Sequence, residues 1–143
     1  MNLFSSSNLE DDQIAPDKYW VKGNHHVFIG SGKFSSWASW AEVGLANAGT
    51  ATEQLVGLGI PAFSLPGRGP QFKYSFALRQ SRLLGGSVIP CKSPEELADR
   101  LRVVLNSEAL RQNLGNIGRK RMGSPGGGNA LASMIIKFLL VNA

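Results

Sequence analysis

The feature that most constrains the fold of this chain is the alternation of short apolar segments with longer helical patterns. The apolar segments lie at residues 26–29, 43–46, 62–65 and 87–89, and helical patterns at residues 50–58 and 71–84 separate the last three. Short strands that alternate with helices favour βαβ crossovers, which place parallel strands side by side. We therefore predict an α/β, Rossmann-like fold with a parallel sheet that helices cover on both faces.

Glycine, proline and capping residues predict where the helices end and begin. Gly59 and then Pro61 follow the first of the two helices and form a stop signal. Ser93 as N-cap, Pro94 at the first helical position and Glu96 in a capping box start a helix in the carboxyl-terminal third. Another helix starts at residue 107. After three glycines at residues 126–128, apolar residues recur at helical spacing as far as residue 139.

Length and patterning predict a single domain. A chain of 143 residues can bury one core but is too short for two full domains. We assign residues 25–143 to one Rossmann-like, nucleotide-sugar-binding domain with a helical carboxyl-terminal tail. Residues 1–24 are polar and weakly patterned, which is typical of a lead-in or a truncated linker.

Composition excludes several classes of function. The net charge of +5 favours anionic ligands, but no basic stripe interleaved with aromatic residues indicates nucleic acid. The single cysteine, Cys91, excludes an internal disulfide and a cysteine metal cluster, so we expect it to pack in the core. No segment reaches the roughly 18 apolar residues of a membrane span, and the first 18 residues lack a secretory signal. We expect a cytoplasmic or plastid-stromal location and leave peripheral membrane contact open.

The turn after the apolar segment at 43–46 has the pattern of an anion site. Small residues at positions 48–52 stand where a strand passes into a helix, with Glu53 and Gln54 one turn further on. The first amides of a helix lack intrahelical acceptors and lie at the positive end of its dipole, which suits a phosphate. Glu53 or Gln54 could then bind a ribose hydroxyl, so a nucleoside diphosphate is the expected ligand. The competing interpretation is an ordinary tight turn with Thr50 as the N-cap.

A second glycine-rich turn lies at the end of the next apolar segment. Residues 66–70 read Pro-Gly-Arg-Gly-Pro and follow the segment at 62–65. Because parallel strands end at the same edge of a sheet, both turns should converge on one ligand there. The competing interpretation is a surface loop that its prolines make rigid, with Arg68 in solvent.

Five stretches of this sequence together resemble the lipid-A-disaccharide synthase-related proteins. The stretches are Gly49-Thr50-Ala51-Thr52-Glu53-Gln54, Val56-Gly57-Leu58-Gly59-Ile60-Pro61, Pro66-Gly67-Arg68-Gly69-Pro70-Gln71-Phe72, Arg79-Gln80-Ser81-Arg82-Leu83-Leu84-Gly85 and Gly118-Arg119-Lys120-Arg121-Met122-Gly123. The resemblance covers residues 25 to 135, and the combination is more specific than the first stretch alone.

The resemblance implies the donor-binding, carboxyl-terminal half of a GT-B glycosyltransferase. Such an enzyme has two Rossmann-like domains and transfers an acylated glucosamine from a UDP donor to an acylated sugar acceptor, which is lipid-linked. GT-B enzymes generally need no metal or other cofactor, because a helix amino terminus and basic side chains stabilise the leaving diphosphate. The amino-terminal, acceptor-binding domain is missing here, so we name no catalytic residue and expect little or no turnover from this chain alone.

The resemblance also implies which residues bind the UDP-sugar. They are Gly49, Thr50, Ala51, Thr52, Glu53, Gln54, Gly67, Arg68, Gly69 and Gln71. The amides of residues 49–52 would bind the diphosphate, and Arg68 and Gln71 the phosphate or the sugar. In related GT-B enzymes the ribose-binding carboxylate lies five residues after the glycine, where this chain has Gln54 with Glu53 one residue earlier. Both stay candidates.

Two other functions remain as alternatives. One is a UDP-sugar 2-epimerase-like enzyme on the same scaffold, which would need carboxylates around the sugar, and acidic residues are few here. The other is a nonenzymatic nucleotide-binding or interaction module. Its sign would be an exposed apolar surface, for which Phe34, Trp37 and Trp40 are candidates, with the two tryptophans expected on one side of a short helix.

The remaining polar residues carry weaker signals. His25 and His26 are adjacent, so in a strand they point to opposite faces and cannot share a metal, although His26 could face the core. The basic cluster at residues 119–121 is typical of a solvated helix end, and an anionic membrane role is the minor alternative because three charges are few for such binding.

Overall fold

The computed structural model describes residues 16–47 and 49–141, without the side chains of Gln71, Leu140 and Val141. Residues 1–15 of the predicted lead-in, and Ala48, which precedes Gly49, lie outside the described residues. In chain order the elements are β1 (Lys18–Lys22), β2 (His25–Ile29), α1 (Phe34–Ala38), β3 (Gly44–Leu45), α2 (Thr50–Gly57), β4 (Ala62–Ser64), a 3-10 turn (Pro70–Phe72), α3 (Tyr74–Leu83), β5 (Val88–Pro90), α4 (Pro94–Leu105), α5 (Glu108–Met122) and α6 (Gly127–Val141).

A three-stranded parallel sheet forms the centre of the fold. Its order is β3-β4-β5, with Gly44 opposite Ala62 and Ala62 opposite Val88. Helix α2 connects β3 to β4, and α3 connects β4 to β5, so each connection is a βαβ unit. The predicted fold class, a Rossmann-like parallel sheet flanked by helices with a helical tail, is confirmed.

Helices cover both faces of this sheet because neighbouring strand residues point in opposite directions. Ala62 packs in one cluster with Val56 of α2 and Val88 of β5. Phe63, one residue further along β4, packs in a second cluster with Val104 of α4. Ala62 and Phe63 of β4 and Val88 of β5 are all buried, so the central strand is apolar on both sides.

Cys91 lies at the end of β5 and packs in the second cluster, as predicted. Its thiol is fully buried and points toward the Ile89 carbonyl oxygen, with Sγ 3.7 Å from that oxygen. Burial raises the pKa of the Cys91 thiol, and the carboxylate of Glu96 adds to the effect. The residue is therefore a packed, protonated thiol.

Glycines allow α5 to approach α2 closely. Gly115 faces the backbone carbonyl of Gly59, and a methyl group at Gly118 would lie 2.7 Å from Val56 Cγ1 and 2.9 Å from the Val56 carbonyl oxygen. The Ser87 hydroxyl donates to the Leu114 carbonyl at 2.6 Å and ties α5 to the sheet. The small residues of α5 therefore fix the distance between these elements.

The first two strands form a separate antiparallel hairpin, which differs from the sequence prediction in two ways. Residues 26–29 were expected in the parallel sheet, but β2 pairs with β1, from Lys18 opposite Ile29 to Lys22 opposite His25. No strand was expected before residue 26, because Lys18–Lys22 has a lysine at each end and no clear alternation. Only pairing with β2, through a turn at Gly23 with φ +60°, makes it a strand.

Local helix signals were more accurate. Ser93 is the N-cap of α4 and accepts from the Glu96 amide at 3.3 Å, and Ser107 is the N-cap of α5 and accepts from the Leu110 amide at 3.2 Å. The helix expected over residues 71–84 is shorter, because the chain forms a 3-10 turn and then extended backbone at Lys73 before α3 begins.

Candidate functional site

The two glycine-rich turns lie at the same edge of the parallel sheet. One follows β3 and the other follows β4, and these strands are parallel neighbours. Asn47 lies between the turns: its Oδ1 accepts from the Leu65 amide at 3.4 Å. A methyl group at Gly67 would lie 3.6 Å from Asn47 Nδ2. The convergence expected from the sequence is therefore present, and we call this carboxyl edge of the sheet the rim.

The first turn presents an open helix amino terminus at the rim. Gly49 is the N-cap of α2, with φ +74° and ψ −155°, and Thr50 is the first helical residue, so the expected capping by Thr50 does not occur. Gly49, Thr50 and Ala51 are exposed, and a methyl group at Gly49 would have no atom within 4 Å. The amides of Thr50 and Ala51 belong to the first turn, where a helix offers no internal acceptor. They remain accessible to an anion.

Thr52 differs from its predicted role. Its amide already donates to the Gly49 carbonyl at 3.1 Å, and its side chain is fully buried. Among the described residues, its Oγ1 has no hydrogen-bond partner. Thr52 therefore offers the rim neither a free amide nor an accessible hydroxyl. Glu53 is half-buried and Gln54 is exposed, so both ribose candidates are within reach of solvent.

The second turn is held by its own backbone. The Gly67 amide donates to the Phe72 carbonyl at 3.0 Å, and the Phe72 amide donates to the Gly69 carbonyl at 3.2 Å. Gly69 adopts φ +103°, a conformation that favours glycine. Arg68 is exposed at the tip between the two glycines. Gln71 lies in the 3-10 turn, and its side chain is outside the described part of the structure.

The structure adds two lysines to the rim that sequence reasoning missed. Lys92 follows β5, and its Nζ lies 5.6 Å from the centroid of the Tyr74 ring in a cation–π contact. Lys73 is the N-cap of α3, the helix that begins with Tyr74. Arg68 and Lys73 follow β4, and Lys92 follows β5, so three cations come after the carboxyl ends of two neighbouring strands. The signal available in the sequence was the position of Lys92 three residues after the last strand segment, at 87–89.

The amino terminus of α4 also lies at the rim, and its acidic residues are already engaged. The Glu96 carboxylate accepts from the Lys92 amide at 2.7 Å and pairs with Arg100 at 2.8 Å. The hydrogen bond from the Lys92 amide is the main reason that the pKa of Glu96 is lowered. A hydrogen bond with Ser93 likewise lowers the pKa of Glu95. These carboxylates are therefore ionised at neutral pH and already hydrogen-bond to groups at the start of α4.

A cavity of about 590 Å³ lies at the opposite edge of the sheet, between the amino ends of the strands and α5. The two arginines that line it form hydrogen bonds and an ion pair within the protein. Arg111 donates to the Val104 carbonyl at 3.1 Å and pairs with Glu42 at 3.4 Å. Arg119 donates to the Leu58 carbonyl at the end of α2 at 2.9 Å. Because these cations satisfy helix ends, they are less available to a ligand.

A smaller, apolar groove of about 390 Å³ lies beside α1 and includes Phe34, Trp37 and Leu55. Helix α1 ends at Ala38, so Trp40 lies just beyond the helix, and its amide donates to the Trp37 carbonyl at 3.1 Å. The groove would suit an apolar side chain and has no evident role for a nucleotide.

The described residues contain no metal site and no membrane-spanning helix. No group of three His, Cys, Asp or Glu residues stands close enough to hold an ion in the part of the chain that the structure describes. His25 and His26 are both exposed in β2, so His26 does not face the core. Across those same residues, none of the helices combines the length and the apolarity needed to span a bilayer. Comparison of the chain with known protein families, curated proteins and solved structures found no match.

Proposed function

We propose that the rim binds a nucleoside diphosphate and that this chain is the UDP-sugar-binding half of a GT-B glycosyltransferase. The observation that carries the proposal is that both glycine-rich turns lie side by side at the carboxyl ends of β3 and β4, joined by Asn47. In open α/β sheets the crevice beyond the carboxyl ends of the strands is where ligands bind. The motif resemblance narrows the ligand to a UDP-sugar.

The diphosphate would lie against the amino terminus of α2. The exposed amides of Thr50 and Ala51 would donate to its oxygens, and the helix dipole would favour the negative charge. Arg68 and Lys92 would neutralise charge from two other sides. Glu53 or Gln54 would accept from the ribose hydroxyls.

Glycosyl transfer would need a second domain. An acceptor hydroxyl would attack the anomeric carbon of the donor sugar as UDP leaves, and the proton of that hydroxyl would pass to a base supplied with the acceptor. The same backbone amides and cations that bind the ground state would bind the extra charge on departing UDP more strongly. This chain alone positions one reactant, so we expect it to bind nucleotide without turnover.

The nonenzymatic alternative is a module that binds a nucleotide at the rim but does not transfer a sugar. It is favoured by the exposed apolar side chains of β1, including Tyr19 and Trp20, and of α6. An epimerase-like enzyme is less well supported, because Glu95 and Glu96 at the rim already hydrogen-bond to groups at the start of α4.

Calorimetric titration with UDP and UDP-N-acetylglucosamine tests the proposal. We expect binding of about −4 to −6 kcal/mol, which corresponds to dissociation constants from millimolar to the high micromolar range. Arg68→Gln should weaken binding by about three- to tenfold, since a charged hydrogen bond contributes roughly 1 kcal/mol or more. The matched control is Arg102→Gln, because Arg102 is exposed in the last turn of α4 and pairs only with Asp99 among the described salt bridges.

Two results would count against the assignment. Absence of heat at several millimolar UDP would reject a nucleotide site at the rim. Equal losses in the Arg68 and Arg102 variants would mean that the nucleotide responds to overall charge and not to this turn.

A further inference from the structure

The net positive charge of this chain comes from its carboxyl-terminal part. Residues 1–108 contain ten lysines and arginines and all ten acidic residues, whereas residues 109–143 contain five lysines and arginines and no acidic residue. The whole net charge of +5 therefore belongs to the last 35 residues. Such an asymmetry favours an anionic partner for this part of the protein.

The same part of the chain contains a helix whose apolar side chains are exposed. In α6, six large apolar residues are between 51% and 70% exposed. They are Leu131, Met134, Ile135, Ile136, Phe138 and Leu139. An apolar surface of this extent on a protein marks an interaction site.

Its sequence gives α6 a narrow polar stripe. Asn129, Ser133 and Lys137 are spaced four residues apart and so lie along one side of the helix. At 100° per residue, Leu131, Ile135 and Phe138 lie on the opposite side. A lysine on such a stripe can extend its charged end to the lipid headgroups while the apolar side chains around it lie in lipid.

The described length of α6 is shorter than the hydrocarbon core of a bilayer. Its 15 residues extend about 22 Å at 1.5 Å per residue. The hydrocarbon core of a bilayer is about 30 Å thick. The helix would therefore have to lie along the surface.

We propose that α6 inserts its apolar face into the surface of an anionic membrane, with nearby basic residues against the lipid headgroups. Lys137 lies on the polar stripe, and Lys120 and Arg121 are exposed at the end of α5, where a short glycine-containing turn leads into α6. Arg111 and Arg119 contribute less, because they hydrogen-bond to helix carbonyls. Three accessible cations are too few to hold the protein alone, and the apolar face supplies the second attraction that stable anchoring needs.

The basic end of α5 lies away from the rim. The end of α5 packs at the opposite edge of the sheet, where Arg121 lies 3.1 Å from a methyl group placed at Gly85, just before β5. Binding of this end of α5 to lipid headgroups would thus leave the rim open to a dissolved nucleotide. The inference is independent of the nucleotide assignment.

Vesicle co-sedimentation of the full chain tests the proposal. The probes are vesicles of phosphatidylcholine alone and vesicles with about a third phosphatidylglycerol. We expect binding to the anionic vesicles, which a Leu131→Ser/Ile135→Ser double variant should weaken by at least about tenfold as apolar contact is lost. The control is Leu83→Ser, because Leu83 on α3 is at least as exposed, at 68%, and lies outside α6. It should bind like the unaltered chain.

Removal of the basic side chains at the end of α5 tests the contribution of charge to membrane binding. Lys120→Gln/Arg121→Gln should weaken binding to anionic vesicles by about fivefold for each charge and leave the neutral vesicles unaffected. Circular dichroism of each variant checks that the helices are retained. Because all the altered side chains are exposed, the fold should tolerate the changes.

Three outcomes would overturn the proposal. The first is no sedimentation with anionic vesicles. The second is equal binding of the α6 double variant and the unaltered chain. The third is a concentration-dependent dimer, seen by analytical ultracentrifugation, that the α6 double variant abolishes, since a second copy would then cover this face.

Discussion

Replacement of Gly49 by alanine tests whether the first turn is shaped by its backbone. Gly49 has φ +74° and ψ −155°, a region that residues with a Cβ rarely enter. A methyl group there would have no atom within 4 Å, so no side-chain overlap contributes. The cost is therefore backbone strain alone, which we put at about 1–3 kcal/mol of unfolding free energy.

Gly57→Ala is the matched control, because it makes the same change at the other end of α2. Gly57 has no left-handed φ, and its methyl group would lie 3.7 Å from Met122 Cγ, which is ordinary contact. Alanine is a better helix former than glycine, so this variant should be unchanged or more stable by up to about 1 kcal/mol. Of the two substitutions, only Gly49→Ala should therefore lower stability.

Urea denaturation followed by circular dichroism measures both effects. If the m-values agree, the shift in midpoint reports stability directly. Gly49→Ala at or above the stability of the unaltered chain would refute the strain argument. A second readout, UDP titration, should show weaker binding for Gly49→Ala than for Gly57→Ala, because relief of strain moves the amides of Thr50 and Ala51.

Two further predictions concern packing and pH. Gly118→Ala should lower the unfolding free energy by about 1–2 kcal/mol in the same denaturation assay. Crowding against Val56 costs roughly 1–3 kcal/mol, and the higher helix propensity of alanine offsets part of that cost. Gly128→Ala is the control and should not lower the unfolding free energy, because a methyl group there has no atom within 4 Å. The pKa of Glu96 is lowered in the folded protein, so its carboxylate stabilises the fold above the ordinary pKa of 4.5, and this stabilisation is lost as pH falls through the folded-state pKa. Glu96→Gln should therefore lose less melting temperature between pH 5 and pH 3 than the unaltered chain. Parallel melting curves for variant and unaltered chain across that range would contradict it.

The helices of this protein were readable from the sequence because their signals are local. Ser93 and Ser107 accept from amides three residues ahead, and the distance is the same in any protein. Gly59 and Pro61 end α2 by the same kind of short-range rule. Alternation of such helices with apolar segments was also enough to predict a parallel sheet.

Strand partners were not readable, because pairing is decided by the rest of the fold. The apolar segment at β2 could join either sheet, and its pairing with β1 was missed because Lys18–Lys22 is polar at both ends and has little strand pattern. The burial of Thr52 is another case. Its position in the first turn of α2 suggested an accessible group, but that side of the helix packs onto the sheet.

The rim itself divides into a part that the sequence determined and a part that tertiary structure decided. Two glycine-bearing turns after successive strand segments were enough to predict their convergence, since parallel strands end at one edge. The contact of Asn47 with the second turn and the position of Lys92 over Tyr74 required the three-dimensional arrangement of β3, β4 and β5. Capping and turn formation act over a few residues, whereas these contacts join positions about 20 residues apart, and only folding brings them within a few ångströms.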